Sequence, residues 1–84
     1  MKRQKFYIIQ LYRLRPGDVA ARDMPTIGED LAAAELAASK KLLAAFNDDR
    51  YPDYERPHHA HLVDEDGFIA VQLMVNGFRK VQRC

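Results

Sequence analysis

Three histidines fall within four positions, His58, His59 and His61, and the chain holds no others. On an extended segment His59 and His61 project to the same side, about 6–7 Å apart. Two imidazoles so placed form a partial chelate for zinc or a similar borderline metal, which needs a third and usually a fourth ligand. Asp53, Glu55, Cys84 or the histidines of a second chain are the available suppliers. The same spacing also suits a strand surface that merely titrates. Glu35 is the second candidate. At about 100° per residue it falls inside the arc of Leu31, Leu36, Leu42, Leu43 and Phe46, where a carboxylate is costly unless paired. It is expected as a buried polar group, serving acid–base or ligand chemistry or meeting an arginine such as Arg13 or Arg15 at the rim. The third grouping is basic: Lys2, Arg3 and Lys5 near the start, Arg79, Lys80 and Arg83 near the end. With Tyr7 and Tyr12 for stacking, these suit contacts to a nucleic acid or an acidic partner.

Other chemistries lack their residues. Thr26 and Ser39 are the only serine or threonine side chains, and both fall in or beside an expected helix. Cys84 is the only cysteine, so no disulfide forms within the chain. There is no glycine-rich phosphate loop, Cys-x-x-Cys pair or nucleophile elbow. Asp64-x-Asp66-Gly67 lacks the later acidic residue of a calcium loop. No catalytic residue and no cofactor follow from the sequence, and the expectation is a protein that is not an enzyme.

Net charge is +1 over 84 residues, unevenly spread: residues 1–22 carry +5, 23–46 carry −2, 47–66 carry −5 and 67–84 carry +3. A chain this short hides only about 60–65% of its unfolded surface, so one thin core is expected over 1–84. The longest uncharged stretch, 67–78, has twelve residues, too few to span about 30 Å of hydrocarbon. The apolar run after Lys2, Arg3 and Lys5 contains Gln10 and is followed at once by Arg13 and Arg15, which fits a strand better than a signal peptide. No membrane association and a cytoplasmic location are expected.

The elements that position these residues read as follows. Residues 5–14 are rich in β-branched and aromatic types and predict a strand apolar on both faces. Arg15-Pro16-Gly17-Asp18 ends it, and a loop runs to Pro25. Thr26-Ile27-Gly28-Glu29 matches a capping box, and alanine, leucine, glutamate and lysine then predict a helix over 27–46. Residues 47–57, with two prolines, predict an exposed connection. Residues 58–63 and 68–75 flank Asp64-Glu65-Asp66-Gly67 as hairpin strands, the second with a bulge or kink at Asn76-Gly77. The sum is an α+β, two-layer β-α-β-β fold: a three-stranded sheet with one long helix packed on one face. A crossover rule makes the first two strands parallel, and order 1-3-2 puts the most apolar strand, 68–75, in the centre. That order brings Lys2, Arg3 and Lys5 beside Arg79, Lys80 and Arg83. The element order is similar to that of the dodecins; their flavin-stacking tryptophan has no counterpart in a chain without Trp, so the likeness implies no ligand.

One helix cannot cover both faces of such a sheet, and an exposed apolar face exceeds what soluble monomers tolerate. A homo-oligomer, most simply a dimer, is the expected remedy; the alternative is that 15–25 folds over the open face. The leading functional expectation is a small intracellular protein-interaction module that self-associates through its sheet and meets a larger protein partner. The alternatives are nucleic-acid binding through the basic termini and metal binding through the His-x-His strand.

Overall fold

The computed structural model describes residues 5–13, 23–28, 30–52 and 56–84. The elements follow in the order β1 (Lys5–Tyr12), β2 (Asp23–Gly28), α1 (Leu31–Phe46), β3 (His59–Val63), β4 (Ile69–Val75) and β5 (Val81–Arg83). The strands form one sheet in the order β2-β1-β3-β4-β5, with every neighbouring pair antiparallel. The class is α+β, with one helix packed on an antiparallel sheet. Four strands of five to eight residues and a three-residue fifth replace the three expected.

Part of the extra width comes from β2. The segment from Asp23 was expected to belong to a loop and then to a capping box. Instead it returns along β1, pairing Tyr7 with Thr26 and Ile9 with Met24. Thr26 is therefore a strand residue and not the helix cap. Asp30 takes that role, its Oδ1 accepting from the Ala33 amide at 2.9 Å, and α1 begins at Leu31 rather than at 27. Proline and glycine mask the strand signal here, but an edge strand admits both.

The presence of β2 overturns the expected 1-3-2 order. The strand that feeds the helix is β2, not β1. The crossover thus joins β2 to β3, which run parallel to each other with β1 between them and antiparallel to both. The segment carrying the histidines, β3, takes the centre, and β4 lies outside it. The likeness to the dodecin element order goes with the correction. At the far side, Asn76-Gly77 is a chain reversal rather than a bulge in one long strand, and it returns the chain as β5 on β4.

Strand alternation sorts the side chains. Tyr7, Ile9 and Leu11 of β1, Ala60 and Leu62 of β3, and Val71, Leu73 and Val75 of β4 form one buried cluster with Ala34, Ala38 and Leu42 of α1. The helix thus meets the sheet through alanines at i and i+4 followed by a leucine, a seam that lets the backbone approach closely. The expected arc centred on the larger leucines is rotated: Leu31 and Leu36 are exposed, at 39% and 58%. A small-residue seam is invisible to a reading that ranks faces by hydrophobic bulk. After Asn47, which ends the helix by donating to Leu43 O, Arg56 reaches back to donate to Phe46 O and Tyr51 O. The expected exposed connection is therefore tied down at its end, and Pro57 is fully buried. No described helix is long and apolar enough to cross a membrane.

The two hairpins beyond β3 use one device. Asp64 Oδ1 accepts from the amides of Asp66 and Phe68, and Gly67 takes φ +86°. Asn76 Oδ1 likewise accepts from the amides of Phe78 and Lys80. The residue equivalent to Gly67 is Arg79, with φ 59°.

Two stability outcomes follow. Asp30→Ala should cost about 1 kcal/mol in urea unfolding, as for a lost N-cap, whereas Thr26→Ala should leave helix onset unchanged by amide exchange. A methyl added at Gly67 meets nothing within 4 Å. Gly67→Ala should therefore cost about 1–2 kcal/mol through its left-handed backbone alone.

Candidate functional site

The face of the sheet turned away from α1 is laid out in rows by the strand register. Ile8 lies opposite Val63, and Val63 opposite Ile69. The next row is Gln10, His61 and Gln72, and the third is Tyr12, His59 and Met74, extended by Gln82 on β5. A register shift between Leu62 and Val63 accommodates Ala70 at the first row's end. Phe6 precedes Ile8 on the same side of β1. Phe6 and Ile69 are each 47% exposed, and Ile8 and Val63 are half-buried.

The expected pair His59 and His61 does share this face, and a tyrosine that the sequence reading assigned to stacking joins them. Tyr12 stacks on His59 with ring centroids 5.1 Å apart and planes 12° apart. It meets His61 edge-on at 4.7 Å and shares a 2.9 Å hydrogen bond with that ring through Oη and Nε2. His59 Nδ1 lies 2.6 Å from the Arg13 carbonyl oxygen. A carbonyl only accepts, so Nδ1 carries the proton and the neutral ring keeps its lone pair on Nε2. Tyr12 and His61 are both 6% exposed although neither faces α1. His61 Nδ1 is buried and has no hydrogen-bond partner among the described residues. Burial first, and then the neighbouring His59, hold His61 below the ordinary imidazole pKa, so its ring is neutral near pH 7.

As a metal site the cluster is incomplete. Among the described residues no three histidine, cysteine, aspartate or glutamate side chains are placed to hold an ion. Asp53 and Glu55 lie outside the described residues. Cys84 is exposed beside β4, where its amide donates to Gln72 O, two strand spacings or about 10 Å from β3. One nitrogen of His61 is already engaged by Tyr12. Chemically, the arrangement is a rigid aromatic cluster with a neutral imidazole at its centre.

The other candidates are dispersed. Glu35 sits at the rim of α1 and pairs with Arg83 of β5, Arg83 Nε donating at 3.0 Å. Glu35 thus meets an arginine, and it is Arg83; Arg15 lies outside the described residues. That guanidinium, chiefly through its hydrogen bonds, holds the Glu35 carboxyl below the usual range. Of the basic grouping, Lys2 and Arg3 lie outside the described residues. Lys5 begins β1 opposite Gly28, and Arg79 and Lys80 occupy the β4–β5 turn. These are opposite ends of the sheet, because β1 starts beside the end of β3 and the start of β4. Arg83 is separated from β1 by two intervening strands. The expected joint basic patch does not form from the described residues; it depended on the 1-3-2 order.

Compared with protein-family models, curated proteins and solved structures, the chain matches none.

The depressed His61, joined by His58, whose pKa is lowered first by burial and then by Arg13, sets a sign for pH dependence. The unfolded chain binds protons at about pH 6.5 where the folded chain resists them. Stability is thus complete above that value and falls as pH drops below it. The urea midpoint should decrease from pH 7.5 to 5.5, and His61→Gln should flatten part of that slope.

Proposed function

We propose that the chain is a small interaction module, without catalytic activity, that pairs with a second copy of itself through the sheet face turned away from α1. The carrying observation is the partly exposed apolar end of that face, where Phe6, Ile8, Val63 and Ile69 adjoin. The edges of the sheet favour face pairing over strand pairing. β2 includes Pro25, which has no amide hydrogen to donate, and β5 has only three residues, flanked by exposed Lys80 and Cys84. Both are devices that blunt an edge.

The rows also suit a two-fold axis. The central row Gln10, His61 and Gln72 is polar, and the rows on either side carry the apolar and aromatic side chains. A two-fold axis lying in the interface, along that row or perpendicular to it, sets the row against its own copy in an isologous contact. Completing the burial of Phe6 or Ile69 contributes on the order of 1 kcal/mol each, so affinity rests on the whole face. The nucleic-acid reading has less support, since Lys5, Arg79, Lys80 and Arg83, its described cationic residues, lie on different edges and ends of the sheet.

Native mass spectrometry and sedimentation of untagged protein test the proposal. The expected species at micromolar concentration has twice the 9.7 kDa chain mass. Ile69→Lys, at an exposed position, should return it to a monomer with unchanged circular dichroism. A monomeric parent protein, or a dimer indifferent to Ile69→Lys and Phe6→Lys, overturns it.

A further inference from the structure

The two turns that flank β4 differ in charge. Seven residues of strand separate them, so they lie about 20 Å apart at opposite ends of the sheet. The β3–β4 turn carries Asp64, Glu65 and Asp66, the last two exposed. It borders a pocket of about 350 Å³ with Phe6, Leu31 and Ala70 as apolar walls and Lys5 as the cation of its described lining. The β4–β5 turn presents Phe78, Arg79 and Lys80, all exposed, and no carboxylate. Resting on the reading that the sheet face pairs with its own copy, we propose that the second copy lies reversed. Each copy then seats its β4–β5 turn against the acidic turn and pocket of the other.

Charge selects the direction. A two-fold axis along the strands brings the two acidic turns to the same end, where Lys5 offsets one of three carboxylates in each copy. An axis along the row of Gln10, His61 and Gln72 reverses the second copy. Asp64, Glu65 and Asp66 of each chain then lie at the end that holds Arg79 and Lys80 of the other. Among the described residues none of these five side chains forms an ion pair within its own chain. Like charges set against one another across an interface cost affinity, whereas complementary charges fix the register. Reversal also sets Phe6, Ile8, Val63 and Ile69 of one copy against Tyr12, His59 and Met74 of the other, so that both rows are used twice.

Shape and rigidity point the same way. Phe78 is 85% exposed, more than any other large hydrophobic side chain described, while Phe6 and Leu31 at the pocket are partly exposed. The turn that carries Phe78 is nonetheless ordered. Asn76 Oδ1 accepts from the Phe78 and Lys80 amides, the Asn76 amide donates to Lys80 O at 2.9 Å, and Asn76 Nδ2 donates to Gln82 Oε1. On the acidic side Asp64 Oδ1 orders its own turn, and Glu65 Oε1 accepts from the Phe6 amide at 2.9 Å. Both segments are thus ordered before they meet, which lowers the entropy lost on association. A phenyl ring beside two cations matches a pocket with apolar walls and an acidic rim, and one chain supplies both.

The test is sedimentation of the full chain from about 50 to 500 mM salt, a range over which exposed charges become screened. The dimer's dissociation constant should rise with salt. Phe78→Ala, Asp66→Lys and Lys80→Glu each change an exposed side chain. Each should leave the urea midpoint unchanged and weaken self-association about tenfold, because a substitution acts twice in a symmetric pair. The combined Asp66→Lys and Lys80→Glu variant should recover most of that loss. A dimer that tightens with salt, that is indifferent to Phe78→Ala, or whose combined variant associates no better than the single ones overturns the reversed arrangement. If Ile69→Lys still dissociates that dimer, the sheet-face pairing survives. Species that grow beyond two copies put the turn in an open head-to-tail chain and likewise overturn the reversed pair. A monomeric parent protein overturns both readings.

Discussion

The antiparallel register of β1 on β3 is the constraint from which the rest follows. It sets Ile9 opposite Leu62 and Leu11 opposite Ala60, and those four side chains are the centre of the core under α1. The same register sets Ile8 against Val63, Gln10 against His61 and Tyr12 against His59 on the other face. Side chains alternate with period two, so a slip by one residue exchanges the faces. With β3 in place, Ile9 and Leu11 would leave the helix and Gln10 would be driven under it. The difference in polarity between the faces therefore enforces the pairing, and the pairing in turn assembles the Tyr12–His59–His61 cluster.

Helix α1 depends on that face in a particular way. Its seam of Ala34, Ala38 and Leu42 supplies little apolar area of its own. The area comes from the isoleucine, leucines and valines of the sheet, and the alanines allow them to be covered at short range. Ties at the rim hold the orientation. Arg83 reaches from β5 to Glu35, and Arg56 spans from the approach to β3 to the helix's terminal carbonyl. Partly exposed pairs of this sort contribute modestly to stability. Their value is directional, because a small-residue seam alone resists sliding less than interlocking large side chains do.

Local signals carried well from sequence to structure where one short segment decides the outcome. The Asp64–Gly67 reversal, the alanine-rich helix and the common face of His59 and His61 all depend on neighbours within a few residues. The errors arise where two local signals compete or where the partner is distant. Thr26-Ile27-Gly28-Glu29 satisfies a capping pattern, yet Thr26 is drawn into the ladder opposite Tyr7, and Asp30 caps instead. Nothing within residues 23–28 announces a strand; only the unpaired side of β1 supplies a reason for one. Once β2 is missed, the crossover is assigned to the wrong strand, and the order, the strand directions and the expected basic patch fail together.

The cleft at the Arg13 end of β1 was illegible for a related reason. Arg13, Asp49, Arg56, His58 and Arg79 come from four separate segments, and no spacing in the chain joins them. Their convergence depends on β3 lying between β1 and β4, which places the end of β1, the start of β3 and the end of β4 at one end of the sheet. An order of 1-3-2 with the first two strands parallel sends Arg13 and His58 to opposite ends. One local clue did exist. Asn76-Gly77-Phe78-Arg79-Lys80 repeats the turn chemistry of Asp64-Glu65-Asp66-Gly67-Phe68, with asparagine and aspartate in the same role and arginine where glycine stands. Aligning the two turns exposes Arg79 as the residue that departs from its own template.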